Sequence, residues 1–261
     1  MSMSKENQFK DKHVLITGAS KGLGYVCAKY FERWGSRLII TGRTQEKLES
    51  LRKGFAHPEQ HLSVEADLVN PDEIEALVKK GRDCLGNIDI VIHSLGGGYG
   101  FREALLSWEQ FNTLHKVNVG AAAEINRLLL PDMIQRKQGN AVHICSIASQ
   151  EATGSVGYNA VKASLSAYVR TLGRELADSG VVVTGILPGA FYAPENSWRR
   201  LEANKPEVVQ KIIQERLPRK KIGEADEMMS LIALLAGEDA SMMAGSCVPI
   251  DAGEGISYVT S

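Results

Sequence analysis

The chain has 261 residues, 44% of them hydrophobic, and 30 Lys and Arg against 31 Asp and Glu. That length and apolar content supply a sizeable core and exclude a disordered chain. A net charge of -1 leaves no broad basic surface to attract nucleic acid. Cys27, Cys84, Cys145 and Cys247 are scattered without paired spacing. This fits a reducing compartment and argues against a disulfide framework or a zinc site. The opening from Met1 to Lys12 is polar and lacks the apolar run of a secretory leader. No apolar run reaches the ~20 residues of a membrane helix. A soluble cytoplasmic protein, with no membrane or nucleic-acid partner, is expected.

His13 to Thr17 reads as a short buried strand. Gly18-Ala19-Ser20-Lys21-Gly22-Leu23-Gly24 follows, then an amphipathic helix to about Trp34. A strand, a glycine-rich turn and a helix open a dinucleotide site, because backbone N–H groups there approach a pyrophosphate at the positive helix end. Arg37 to Thr41 is a second strand. Where an NAD-type site carries an acid for the ribose 2′-hydroxyl, this chain has Gly42 and then Arg43, with Lys21 in the glycine turn. Singly, such cations are ordinary surface charges. Together, without a competing carboxylate, they suit a 2′-phosphate and favour NADP, with NADPH preferred over NADH.

A helix to about Lys53, a loop from Gly54 to Gln60 and a third strand from His61 to Glu65 lead to Asp67 and Leu68. Pro71 to about Cys84 is helical, with Pro71, Asp72 and Glu73 suited to its first turn. Ile88 to His93 is a fourth strand running into Ser94-Leu95-Gly96-Gly97-Gly98-Tyr99-Gly100. Those glycines suit either backbone close to a ligand or a mobile loop. Ser107 to about Met133 reads as one long helix, capped by Ser107 with Gln110. Asn118 inside it is either exposed or holds backbone or water in a buried site. Asn140 to Cys145 is the fifth strand, followed by Ser146. A helix bearing Tyr158 runs to about Asp178, and a sixth strand spans Val181 to Leu187 before Pro188-Gly189. Ala190 to Leu217 has no strand signal and holds a helix from Glu207 to Glu215. A further helix, Glu224 to Ala236, and a last strand, Cys247 to Ile250, complete the chain.

Strands that are apolar throughout, alternating with helices, require a parallel sheet covered on both faces. The fold class is therefore α/β, a doubly wound Rossmann-type parallel sheet, in a single domain over 1–261, with 190–217 as a substrate lid. Ligand binds outside the C-terminal strand ends of such sheets. Gly18, Arg43, Asp67, Ser94, Ser146 and Pro188 all fall at those ends. Tyr158 and Lys162 lie four apart and share a helix face. A cation near a phenol favours the phenolate, so the pair can move a proton to or from a carbonyl oxygen. By itself that spacing is common.

Thr17-Gly18-x-x-x-Gly22-x-Gly24 together with Tyr158-x-x-x-Lys162 resembles the short-chain dehydrogenase/reductase family in its single-domain form, over His13 to Gly253. The resemblance implies that Tyr158 is the catalytic acid/base and that Lys162 lowers its pKa and binds the nicotinamide ribose. It further implies that Ser146 holds the substrate carbonyl and that Asn118 supports a water-linked proton path. Asp67 and Leu68 resemble the adenine-binding pair, and Pro188-Gly189 the turn flanking the nicotinamide. Ser94 and Gly96, beside the cofactor, stand where the family has Asn-Ala-Gly, which removes an Asn that ties the sheet. Ala193 replaces a Thr that meets the nicotinamide amide. Ser146 is one residue closer to Tyr158 than the family pattern, which keeps Ser149 as an alternative. The resemblance implies a homotetramer and hydride transfer between NADP(H) and a carbonyl or secondary alcohol, with a 3-oxoacyl thioester as the common family substrate. A keto-sugar or other polar carbonyl, and a catalytically silent NADP-binding sensor, are the alternatives. A sugar epimerase or dehydratase of the longer related enzymes ranks below both. Arg199 and Arg200 in the lid suit either an acidic substrate group or solvent.

Overall fold

The computed structural model of the chain describes residues 8–257. Most of the polar opening stretch therefore lies outside the described residues. The strands are β1 (His13–Thr17), β2 (Arg37–Gly42), β3 (Leu62–Glu65), β4 (Ile90–His93), β5 (Gly139–Ile144), β6 (Val181–Pro188), β7 (Phe191–Tyr192), β8 (Gly223–Glu224) and β9 (Cys247–Ile250). Seven of them form one sheet in the order β3-β2-β1-β4-β5-β6-β9. Every pair in it is parallel.

Side-chain alternation explains why both sheet faces need cover. Val14 and Ile16 enter one core with Leu23, Phe31 and Ile40. Leu15, between them, enters the other with Leu77, Leu129 and Val183. Burying a side chain such as Leu15 contributes roughly 1.5–3 kcal/mol. The covering helices are α1 (Gly22–Arg33), α2 (Gln45–Lys53), α3 (Pro71–Leu85), α4 (Trp108–His115), α5 (Ala121–Arg136), α6 (Val156–Glu175) and α9 (Met229–Ala236). Helices α7 (Ser197–Asn204) and α8 (Pro206–Arg216) stand apart from the sheet. They share a small core of Tyr192, Val209, Ile213, Leu217 and Ile222. Among the described residues no helix is long and apolar enough to cross a membrane.

Three elements differ from the sequence reading. The stretch from Ser107 to Met133 is not one regular helix: a widened π turn over Lys116–Gly120 separates α4 from α5. Such a turn releases a backbone carbonyl from the regular ladder, and Asn118 supplies a donor for it. The segment 190–217 does contain a strand, since β7 pairs with β8 in a parallel ladder too short to show alternation. Its helix α7 was also missed. Finally, the first turn of the helix expected over Glu224 to Ala236 is a 3-10 turn, and α9 begins only at Met229. The expected Ser107–Gln110 capping box is present in both directions.

Candidate active site

The C-terminal ends of the strands gather the residues that the sequence singled out. At the first of them, Gly18 and Gly22 adopt φ +67° and +64°, a left-handed conformation strained for any side chain. A Cβ on Gly24 would lie 2.6 Å from the Gly18 oxygen, so α1 starts hard against the turn. Leu23 anchors that first turn in the core. The turn is thus a concave backbone surface ending at a helix N-terminus, the arrangement that receives a pyrophosphate. Ser20 lies against the end of β2, where a side chain at Gly42 would come within 3.2 Å of its Oγ.

Cations crowd this end. The Lys21 pKa is lowered, first by desolvation and then by Arg200, Lys47 and Arg43. Arg43 lies 5.7 Å from the Tyr99 ring centroid, across the groove from β2 to the loop after β4. After β3, the Asp67 N–H donates to Glu73 (2.7 Å) and Leu68 is buried. These contacts fix the backbone there.

After β4, where the resemblance would place an Asn, the backbone is tied by Thr17. Its hydroxyl accepts the Ser94 N–H at 3.0 Å and the Leu95 N–H at 3.1 Å, tying β1 to the start of the glycine loop. Asn118, buried in the π turn, holds the rest of that loop. Its Oδ1 accepts the Gly97 N–H at 3.0 Å, and its Nδ2 donates to Gly97 O (3.0 Å) and Leu114 O (2.9 Å). Gly96 has no room for a side chain: a Cβ would sit 2.8 Å from Asn118 Oδ1 and 3.2 Å from Lys162 Nζ.

Lys162 is 3% exposed and donates to Ile144 O, at the end of β5, at 2.8 Å. Its Nζ lies 5.8 Å from the centroid of the Tyr158 ring, one turn earlier on α6. Gly154 and Gly98 leave space beside that ring: Cβ atoms there would reach within 2.8 Å and 3.8 Å of it. Ser146 caps the 3-10 turn Ile147–Ser149, and its Oγ accepts the Ala148 N–H at 3.1 Å. A serine Oγ accepting there keeps its own proton to donate. The Ser149 hydroxyl instead donates to Ser146 O at 2.8 Å, which leaves Ser146 the better placed of the two.

After β6, Pro188 and Gly189 lead into a turn held by Glu254. That carboxylate accepts the Ala190 N–H at 2.6 Å and pairs with Arg216 at 2.5 Å. Ala193 is buried, with no polar group for the turn. Arg199 stacks 3.8 Å from the Tyr192 ring centroid and pairs with Glu202 and Glu224 at 3.4 Å, so its charge is already matched.

Beneath the site lies a polar network that the sequence reading did not find. His93 Nε2 donates to Asn126 Oδ1 (2.8 Å), and Asn126 Nδ2 donates to His143 Nε2 (3.2 Å) and Tyr168 Oη (3.1 Å). His143 Nδ1 donates to Thr184 O at 3.0 Å, and the two imidazoles stack 4.4 Å apart. Burial lowers His93 to about 4 and His143 well below the ordinary value. The residues come from β4, β5, α5 and α6, so no local motif joins them. Lys47, Glu195 and Glu254 were missed for the same reason.

A doubly wound parallel sheet with a glycine cradle after β1, and with Lys162, Tyr158, Asn118 and Ser146 along the same C-terminal edge, is the arrangement of a nicotinamide-dependent oxidoreductase. The chain belongs to the short-chain dehydrogenase/reductase family: the family model described as enoyl-(acyl carrier protein) reductase matches residues 18–254. An uncharacterized oxidoreductase of Staphylococcus epidermidis is 30% identical over 186 residues, which cover 71% of this chain and 80% of the relative. Among solved structures, L-sorbose reductase from Gluconobacter frateurii complexed with NADPH and L-sorbose superposes with TM-score 0.85 at 25% identity, covering 94% of this chain and 97% of that one. Levodione reductase gives 0.86 at 25% identity, covering 95% and 98%. A 3-oxoacyl (acyl-carrier-protein) reductase from Agrobacterium tumefaciens C58 with NADP bound shares the fold, with TM-score 0.86 at 22% identity, covering 97% and 98%.

Proposed function

We propose that the protein is an NADPH-dependent carbonyl reductase, with a 3-oxoacyl thioester as its substrate. The observation that carries this reading is the buried Lys162 ammonium, fixed on Ile144 O and 5.8 Å from the Tyr158 ring. The glycine turn at Gly18–Gly24 and the Gly96 gap fit a dinucleotide laid along the strand ends, with Gly18, Ser20, Lys21, Gly22, Leu23 and Gly24 along its phosphates. Arg43 would hold the 2′-phosphate, Asp67 and Leu68 would flank the adenine, and Ser94, Gly96, Pro188 and Gly189 would flank the nicotinamide half. The bound nicotinamide supplies hydride to the carbonyl carbon.

The chain's own residues handle the charge that grows on the carbonyl oxygen. Ser146 Oγ and Tyr158 Oη donate hydrogen bonds to it, where such donors contribute most. Tyr158 then gives up its proton. The phenolate left behind is stabilised by the Lys162 cation, and Asn118 holds the turn that keeps Lys162 and the glycine loop apart. In the oxidative direction the same groups act in reverse.

Residues 190–217, with their own small core, serve as the substrate lid. A keto-sugar is the second reading, favoured by the likeness to L-sorbose reductase at 25% identity. The apolar face with Leu105 at 93% and Trp108 at 77% exposure suits assembly into a homotetramer. Cys27, Cys84, Cys145 and Cys247 are all free, in keeping with a cytoplasmic setting.

The test is NADPH oxidation with a short 3-oxoacyl thioester and with L-sorbose, NADH being run in parallel, for the parent and for Tyr158→Phe. The expected result is turnover with NADPH that Tyr158→Phe reduces at least a thousandfold while NADPH still binds. Parent-like turnover by Tyr158→Phe would reject the assignment.

A further inference from the structure

The segment after β7 crosses beside the glycine turn and is fastened to other elements at two points, with a third contact inside the segment. The Pro194 carbonyl accepts the N–H of Gly22, the first residue of α1, at 2.7 Å. Glu195 adopts φ +52°, a left-handed conformation uncommon outside glycine. Its carboxylate pairs with Lys47 on α2, while Arg200 on α7 donates to its carbonyl oxygen. Lys21 feels Arg200, Lys47 and Arg43 as repulsive neighbours and Glu195 as the attractive one. One carboxylate thus sits among three cations, Lys47, Lys21 and Arg200, beside the glycine turn.

We propose that Glu195 is a built-in anion which the cofactor's 2′-phosphate displaces from Lys47, so that Lys47 favours NADPH over NADH and Glu195 moderates that preference. This rests on the NADP reading above. A phosphate monoester carries nearly two charges and three acceptor oxygens, against one charge and two oxygens for Glu195. It therefore wins the contest for Lys47, whose four-carbon stem lets the ammonium swing without moving α2. The freed strap of residues 194–200 keeps its Gly22 fastening and stays beside the glycine turn. A cofactor ending in a 2′-hydroxyl cannot make the exchange and leaves the Lys47–Glu195 pair closed. Lys47 is accordingly a specificity-determining residue, and Glu195 moderates the preference it confers.

The experiment measures dissociation constants on the cofactor-free protein by calorimetry. NADPH, NADH and adenosine 2′,5′-bisphosphate are the probes, titrated into the parent, Glu195→Gln and Lys47→Met. Both side chains are substantially exposed, at 60% and 44%, so neither substitution threatens folding. Glu195→Gln should tighten NADPH and the bisphosphate about two- to fivefold, the range of one exposed ion pair, and leave NADH unchanged. Lys47→Met should weaken the same two ligands about fivefold and spare NADH. If Glu195→Gln leaves NADPH unaltered, or weakens NADH as the loss of a 2′-hydroxyl partner would, the strap proposal is overturned while the NADP reading stands. Equal affinity of the parent for NADPH and NADH overturns both.

Discussion

The stacked imidazoles of His93 and His143 make stability depend on pH in a window where few other groups act. Burial lowers the folded His93 value to about 4 from an ordinary 6.5. The unfolded chain therefore binds a proton there that the folded chain refuses. Stability is fully present above 6.5 and is lost as pH falls toward 4. For one imidazole shifted this far, the loss between pH 7 and pH 5 is about 2 kcal/mol. His143 adds to it in the same direction, as its value is also lowered by burial and by His93. Carboxylates with lowered values, such as Glu49 and Glu124, lose their contribution only below the ordinary 4.5, outside this window. The assay is urea unfolding at pH 7, 6 and 5 for the parent and for His93→Asn. The variant is less stable at pH 7, because Asn126 loses a partner, but its loss from pH 7 to 5 should be smaller by about 2 kcal/mol. Identical pH dependence in the two proteins would refute a neutral buried His93.

Two further outcomes test the site and the surface. Gly96→Ala places a methyl 2.8 Å from Asn118 Oδ1 and 3.2 Å from Lys162 Nζ. It should lower stability by about 1–3 kcal/mol, read by urea unfolding, and cut turnover at least tenfold at a temperature where the variant is folded; parent-like turnover would mean that the gap is not needed. Trp108→Glu, on a side chain 77% exposed, should reduce the assembled mass measured by light scattering, and an unchanged mass would remove this face from the assembly.

Much of the fold was legible because strands such as β1, β4 and β6 are nearly continuous apolar runs bounded by glycine or polar residues. β1 and β6 were delimited to within a residue for that reason. The π turn was not legible: an inserted residue leaves α4 and α5 in nearly the same helical phase, and only the buried amide of Asn118 hinted at it. β7 and β8, each of two residues, are too short for any periodicity. Among the candidate site residues, the glycine turn stands out by its place between strand and helix, whereas Tyr158 and Lys162, an ordinary pair four apart by themselves, stand out only in combination with it. Lys47 and Glu195 do not, because they are 148 residues apart and meet only through the tertiary fold. The Thr17 hydroxyl's bonds to Ser94 and Leu95 were hidden likewise, a side chain reaching from one strand end to the next.

The small core of Tyr192, Val209, Ile213, Leu217 and Ile222, closed by the β7–β8 ladder, makes the segment over the strand ends a nearly self-contained cassette. Its apolar side chains pack mostly on one another and not into the two large cores. Mutation within it can therefore reshape the mouth of the groove while the sheet, the glycine cradle and the Tyr158–Lys162 pair keep their stability. Transplanting residues 190–224 between relatives of this fold is the recombination that such an arrangement tolerates best, because the two large cores stay intact.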